Sequence, residues 1–95
     1  MSNYTSALLR SLRNQIPIDQ VITRILNMDT TPGSKLLRFR CPRCHGFHTA
    51  TNSKTNMARC FDCQKNFNPI DMVMVVGKVG FIEAVEFLKQ HLQDF

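Results

Sequence analysis

Cys41-Pro42-Arg43-Cys44 and, after fifteen intervening residues, Cys60-Phe61-Asp62-Cys63 decide the fold of this chain. Two residues between paired cysteines let both thiolates converge on one ion, and two such pairs brought together across a hairpin complete a tetrahedral shell of four sulfurs. Zinc in that shell keeps no open position for water, so the expected ion is one structural Zn2+, a scaffold and not a catalyst. Iron also suits four thiolates, and a thioredoxin-like dithiol is the other chemical alternative. The latter needs a single Cys-x-x-Cys at a strand-to-helix junction, whereas here two pairs are matched and neither follows a βαβ pattern. His45 and His48 lie near the first pair, but four cysteines already fill the shell.

Working outward from the knuckles, the sequence predicts an α+β fold: a small zinc ribbon over residues 35–66, flanked by N-terminal and C-terminal helices in one domain spanning 1–95. Upstream, Thr5 or Ser6 caps a helix over 6–15 through Leu8, Leu9 and Leu12, which Pro17 interrupts because the residue before a proline disfavours helical geometry. A second helix over 17–27 places Ile18, Val21, Ile22, Ile25 and Leu26 on one apolar face. Thr30-Thr31-Pro32-Gly33-Ser34 reads as a loop. Leu37 and Phe39 then alternate with Arg38 and Arg40 as in a half-buried strand, and extended segments follow at Phe47–Thr51 and Met57–Cys60 around a turn at Asn52–Asn56. Downstream, Asn68-Pro69 opens a short apolar helix over 69–76 that ends at Gly77, and a last helix over 81–92 sets Phe81, Ala84, Val85, Leu88 and Leu92 on one side with Glu83 and Glu86 turned toward water.

Ninety-five residues bury a limited core, so a staple is expected on size alone. With 43% hydrophobic and 20% charged residues and no low-complexity tract, the composition is that of a globular chain, so most of it is expected to fold. No basic segment precedes an apolar stretch at the N-terminus, and no run approaches the ~18 apolar residues of a membrane span. A cytoplasmic, reducing location is therefore expected, which favours metal over disulfides. Charge is divided unevenly. Residues 1–40 hold six Lys or Arg against two acids, residues 41–68 four against one, and residues 69–95 two against four. A basic first two-thirds suits either a polyanionic partner or plain solvation.

Three separated segments resemble one family, the N-terminal zinc-binding domain of bacterial DnaG-type primases and the related module of phage primase-helicases. They are Asn14–Ile22, similar to the helix before the family's first knuckle; the two knuckles, similar to its Cys-Pro-x-His and Cys-Phe-x-Cys; and Ile70–Met74 with Phe81-Ile82-Glu83-Ala84-Val85-Glu86, similar to its apolar helix and Phe-x-Glu-Ala-Val-Glu segment. The chain departs from the family at three places. Cys44 stands where histidine is usual, Asn68-Pro69 replaces a Gly-Asp pair, and Phe47–Thr51 replaces a Thr-Pro-Ser-Phe segment, which bears on the specificity of any contact made there.

The resemblance implies a module that binds single-stranded template DNA in replication or primer synthesis. Arg38, Arg40, Arg43, Lys54, Arg59 and Lys65 are the candidate phosphate contacts, with Phe47, Phe61 or Phe67 as stacking platforms. Arg43, His45, His48, Asn56 and Arg59 are candidates for reading base edges. Each has a plainer reading, the phenylalanines as core and the arginines as solvated charge. A complete primase would add a catalytic domain with clustered metal-binding carboxylates; Asp71, Glu83, Glu86 and Asp94 are scattered along helices instead. The chain is therefore expected to be non-enzymatic, at most an accessory to a primase acting in trans. The competing reading is an adaptor that docks on a primase, helicase or polymerase, encoded by a phage or mobile element.

Overall fold

The computed structural model describes residues 4–31 and 37–92. Most of the loop expected at Thr30–Ser34, the start of the ribbon at residue 35, and Asp94 lie outside them. Helix α1 (Ser6–Asn14) begins where Thr5 Oγ1 accepts the Leu8 N–H at 3.1 Å. Pro17 ends that run and starts α2 (Ile18–Gln20), which continues as a π-helical turn over Val21–Ile25 in place of the regular helix expected to residue 27. The Thr23 hydroxyl donates to the Asp19 carbonyl at 2.7 Å, and the Leu26 N–H reaches back five residues to Val21 at 2.8 Å. A hydroxyl competing for a helix carbonyl in this way goes with the wider turn.

Strands β1 (Thr49–Asn52), β2 (Met57–Cys60) and β3 (Lys65–Phe67) form an antiparallel sheet in that order. The third strand is not the one expected. Leu37–Arg40 makes only a single antiparallel bridge, Phe39 to Thr30, and β3 after the second knuckle completes the sheet. The reason lies in Thr49, whose buried Oγ1 accepts the Phe39 N–H at 2.9 Å and donates to the Phe39 carbonyl at 2.7 Å. With both backbone groups of Phe39 satisfied by one side chain, no ladder is needed there.

Helix α3 (Pro69–Gly77) opens with a capping box: Asn68 Oδ1 accepts the Asp71 N–H at 2.8 Å and Asp71 Oδ2 accepts the Asn68 N–H at 3.2 Å. It ends one residue later than expected, on Lys78 in the left-handed conformation at φ 55°. Helix α4 (Phe81–Lys89) stops short of the expected residue 92. One apolar cluster joins everything: Leu12 and Ile22 from the N-terminal helices with Ile16 from the break between them, Phe39, Cys60 and Phe67 from the ribbon, and Met72, Val85 and Leu88 from α3 and α4. Tyr4, just ahead of α1, also reaches α4. The Tyr4 hydroxyl donates to Glu86 Oε2 at 2.7 Å, and its ring packs edge-on against Phe81.

Asn56 was a candidate base-reading residue, and here the structure corrects the expectation. Its side chain is buried between the hairpin and the N-terminal helices, with Oδ1 accepting the Ile18 N–H at 2.8 Å and Nδ2 donating to the carbonyls of Arg13 at 2.6 Å and Ile16 at 2.8 Å. These are backbone groups that the proline break leaves unpaired, so Asn56 does structural work and no amide remains for a ligand. Its φ of 54° suits an asparagine. Asn56→Ala strands a donor and at least one acceptor in the core and is expected to cost about 2–4 kcal/mol in chemical unfolding of the zinc-loaded protein, whereas Lys54→Ala in the same turn should cost less than about 0.5 kcal/mol.

Candidate metal centre and the surface around it

The two knuckles are built alike. Each turns on a left-handed residue directly after its second cysteine, His45 at φ 67° and Gln64 at φ 56°. In each a backbone N–H points at the sulfur of the first cysteine: Arg43 N–H at 3.4 Å from Cys41 Sγ, and Cys63 N–H at 3.4 Å from Cys60 Sγ. The first knuckle is closed further by the Cys41 N–H on the Gly46 carbonyl at 2.8 Å and the His45 N–H on the Cys41 carbonyl at 2.9 Å. Cys41 and Cys60 are buried in the core, while Cys44 is exposed and Cys63 half-buried.

All four sulfurs lie within 4.8 Å of one another, with Cys41 to Cys63 at 3.7 Å and Cys44 to Cys60 at 3.6 Å. A tetrahedron with Zn–S bonds of about 2.3 Å has edges of about 3.8 Å, so the sulfurs stand where a zinc ion needs them. Their acidities make the same point. Burial pushes the Cys41 thiol up, but N–H groups of Cys44 and Arg43 and the neighbouring thiols outweigh it and hold Cys41 at about 7. Desolvation and the three surrounding sulfurs push Cys63 up to about 12. The Gly46 N–H favours the Cys44 thiolate, yet desolvation and the Cys60 sulfur together raise it. Sulfurs this close resist ionising together, and a bound dication is what lets all four be thiolates.

Beyond the metal, register sorts the surface residues. Ala50, Arg59 and Asn66 stand opposite one another on the outer face of the sheet, followed by Asn52 and Met57, while Thr49, Cys60 and Lys65 share the inner, metal-facing side. The outer face carries a shallow groove of about 700 Å³, floored by Ala50 and Met57, with Lys54 at the turn and Arg59, Asn66 and Phe61 at the other end. Arg59 Nη1 donates to Asn66 Oδ1 at 3.2 Å, and its guanidinium lies 5.7 Å from the centre of the Phe61 ring. Phe61 is 44% exposed. The His48 ring sits 5.2 Å from it, with Nδ1 3.1 Å from Asp62 Oδ1.

The other candidates are placed elsewhere. Phe67 is core, 3% exposed, and cannot stack on a base. Arg40 is bound to Asp29 at 3.1 Å and lies over Phe47 at 5.0 Å, so its charge is already matched. Arg38 is half-buried, and Arg43 is exposed on the first knuckle in a hollow with Lys65. Much of the positive charge of the first 40 residues belongs to Arg10 and Arg13 on α1 and Arg24 on the π-helical turn, none of which lines the groove. Asn52 and Asn66 also line it and were not among the expected contacts: Asn52, expected in a turn, ends β1, and the three-residue β3 that carries Asn66 is too short to display alternation.

Compared with known families, residues 4–94 match the CHC2 zinc finger, the zinc ribbon of DnaG-type primases. No curated protein matches the chain. With the sulfur geometry, this assigns one structural Zn2+ to Cys41, Cys44, Cys60 and Cys63. Among the described residues no helix is long and apolar enough to cross a membrane. The name of the family records a histidine among the cysteines, so Cys44→His should still bind one zinc and fold. Cys44→Ala should lose tight binding, and chelation should unfold the native protein, both read by metal analysis and circular dichroism.

Proposed function

We propose that this chain, which belongs to the CHC2 zinc-finger family of DnaG-type primases, is a non-catalytic module that holds single-stranded DNA on the outer face of its sheet during replication or primer synthesis. The observation that carries this reading is the groove. Small or flexible side chains, Ala50 and Met57, leave room for a base, while an exposed ring at Phe61 lies beside a cation at Arg59. Single strands bind proteins through this combination, phosphates on cations and bases on aromatic faces. Cys60 faces the opposite side of β2 from Arg59 and the groove, so a zinc held there would fix the shape of the surface without touching the strand.

Sequence preference would come from the polar groups that ring the groove. Asn52 and Asn66 each offer both donors and acceptors, while His48, beside Phe61 but outside the groove lining, has its Nδ1 engaged by Asp62. Arg43 and Lys65 stand outside the groove and would act on phosphates. Asn56 has no part in recognition.

A second reading draws support from α4, where Phe81 is 43% and Ile82 51% exposed in the acidic C-terminal third. Such side chains suit docking on a replication protein such as a primase, helicase or polymerase. Recovery of such a protein in a pull-down that survives nuclease treatment, and its loss in Ile82→Ser, would favour docking.

For the DNA reading the test is titration of labelled single-stranded oligonucleotides at ~50 and ~200 mM salt. Phe61→Ala should weaken binding roughly 5- to 150-fold with little change in salt dependence. Arg59→Ala should reduce the slope of log affinity against log salt by about 0.7. Binding that is absent at micromolar protein, or indifferent to both substitutions, would contradict the reading.

A further inference from the structure

We propose that the strand does not end on the outer face of the sheet but continues around β3 and across the first cysteine knuckle to the C-terminal end of α3, where Lys78 meets it. This rests on the single-stranded DNA reading above and extends it to a path and a set of contacts.

The path is carried by three concavities that share their walls. Asn66 lines the groove on the outer face and also a second hollow, around Arg43, Lys65 and Met74. Val75 lines that hollow and also a third one, bounded by Pro42, His45 and Lys78. Each concavity thus shares a lining residue with the next. A polymer with a flexible, evenly charged backbone can follow such a bent channel, whereas a small ligand would occupy only one of its segments.

Charge runs along the same path. Lys54 and Arg59 border the groove, Lys65 and Arg43 the second hollow, and Lys78 the third. Among the described residues, Arg43, Lys54, Lys65 and Lys78 form no ion pair, so their ammonium and guanidinium groups remain available to phosphates. The acids on the route are already engaged. Asp71 closes the capping box of α3, where the positive end of the helix offsets it, and Asp29 is held by Arg40 at 3.1 Å. Lys78 is the informative member. It belongs to the acidic third of the chain, so charge counting by sequence places it outside the basic surface. The left-handed turn at the end of α3 puts it at the rim of the third hollow, with Val75 and Val76 behind it.

A strand confined to the outer face would ignore Lys78, and one that follows the path would not. The test uses 5′-labelled oligothymidylates of about 4 and about 12 nucleotides, lengths that bracket the short end of known single-strand site sizes. Arg43→Gln, Lys65→Gln and Lys78→Gln are measured against both, after zinc content and thermal unfolding have shown each variant to be folded. Each substitution should weaken the long probe roughly 3- to 5-fold and lower its salt slope by about 0.7, with the short probe unchanged. Arg59→Ala should weaken both lengths. If Lys78→Gln and Lys65→Gln leave the long probe unaffected while Arg59→Ala weakens both, the path is wrong and the sheet-face reading stands. If neither probe binds in a salt-sensitive way, the sheet-face reading fails and the path fails with it.

Discussion

Four sulfurs crowded within 4.8 Å set the terms for the rest of the molecule. Without a cation they oppose one another's ionisation, as the divergence of Cys41 and Cys63 shows. With zinc they become the strongest cross-link the chain possesses. Apparent binding energies of about 10–16 kcal/mol for structural zinc equal or exceed the ~5–15 kcal/mol net stability of a typical domain. The metal centre is also continuous with the core. Cys41 and Cys60 are fully buried beside Phe39, Ala58 and Phe67, so the ion fixes the ribbon to the helices as well as one knuckle to the other.

Two polar side chains complete what the metal begins. Thr49 satisfies both backbone groups of Phe39 and so holds the segment leading into the first knuckle against the inner face of the sheet. Asn56 does the equivalent for the break between α1 and α2, gathering one N–H and two carbonyls from residues 38 to 43 positions away. Hydrophobic burial alone would leave the angle between the helices and the hairpin loosely determined, because it has no direction. Hydrogen bonds to buried backbone groups supply the direction.

The cysteine spacing made the metal centre legible in the sequence, and the apolar periodicity of Ile18–Ile22 and of Ala84–Leu88 made the buried helix faces legible, whereas Phe81, expected on the same side of α4, is 43% exposed. These signals are local: each depends on residues within a turn or two of one another. What stayed hidden was non-local. Leu37–Arg40 has the alternation of a strand, but whether it enters a sheet is decided by Thr49, ten positions later. Asn56 sits in a turn-like run of polar residues where exposure is the ordinary expectation, and its burial follows from unpaired backbone groups at Arg13, Ile16 and Ile18. On the surface, Arg59 and Phe61 were identifiable by type, while their adjacency to Asn66 and the position of Lys78 needed the register of β3 and the stop of α3.

The clasp between Tyr4 and α4 bears on how such a unit can be joined to others. Because Tyr4 is stapled to Glu86 and Phe81, the segment entering α1 is held against α4, and none of these three residues lines the concavities around the sheet and the knuckles. A neighbour joined ahead of Tyr4 would hang from that clasp. It could swing without covering the face that this ribbon turns outward, and the length of the tether would set how often the two bodies meet.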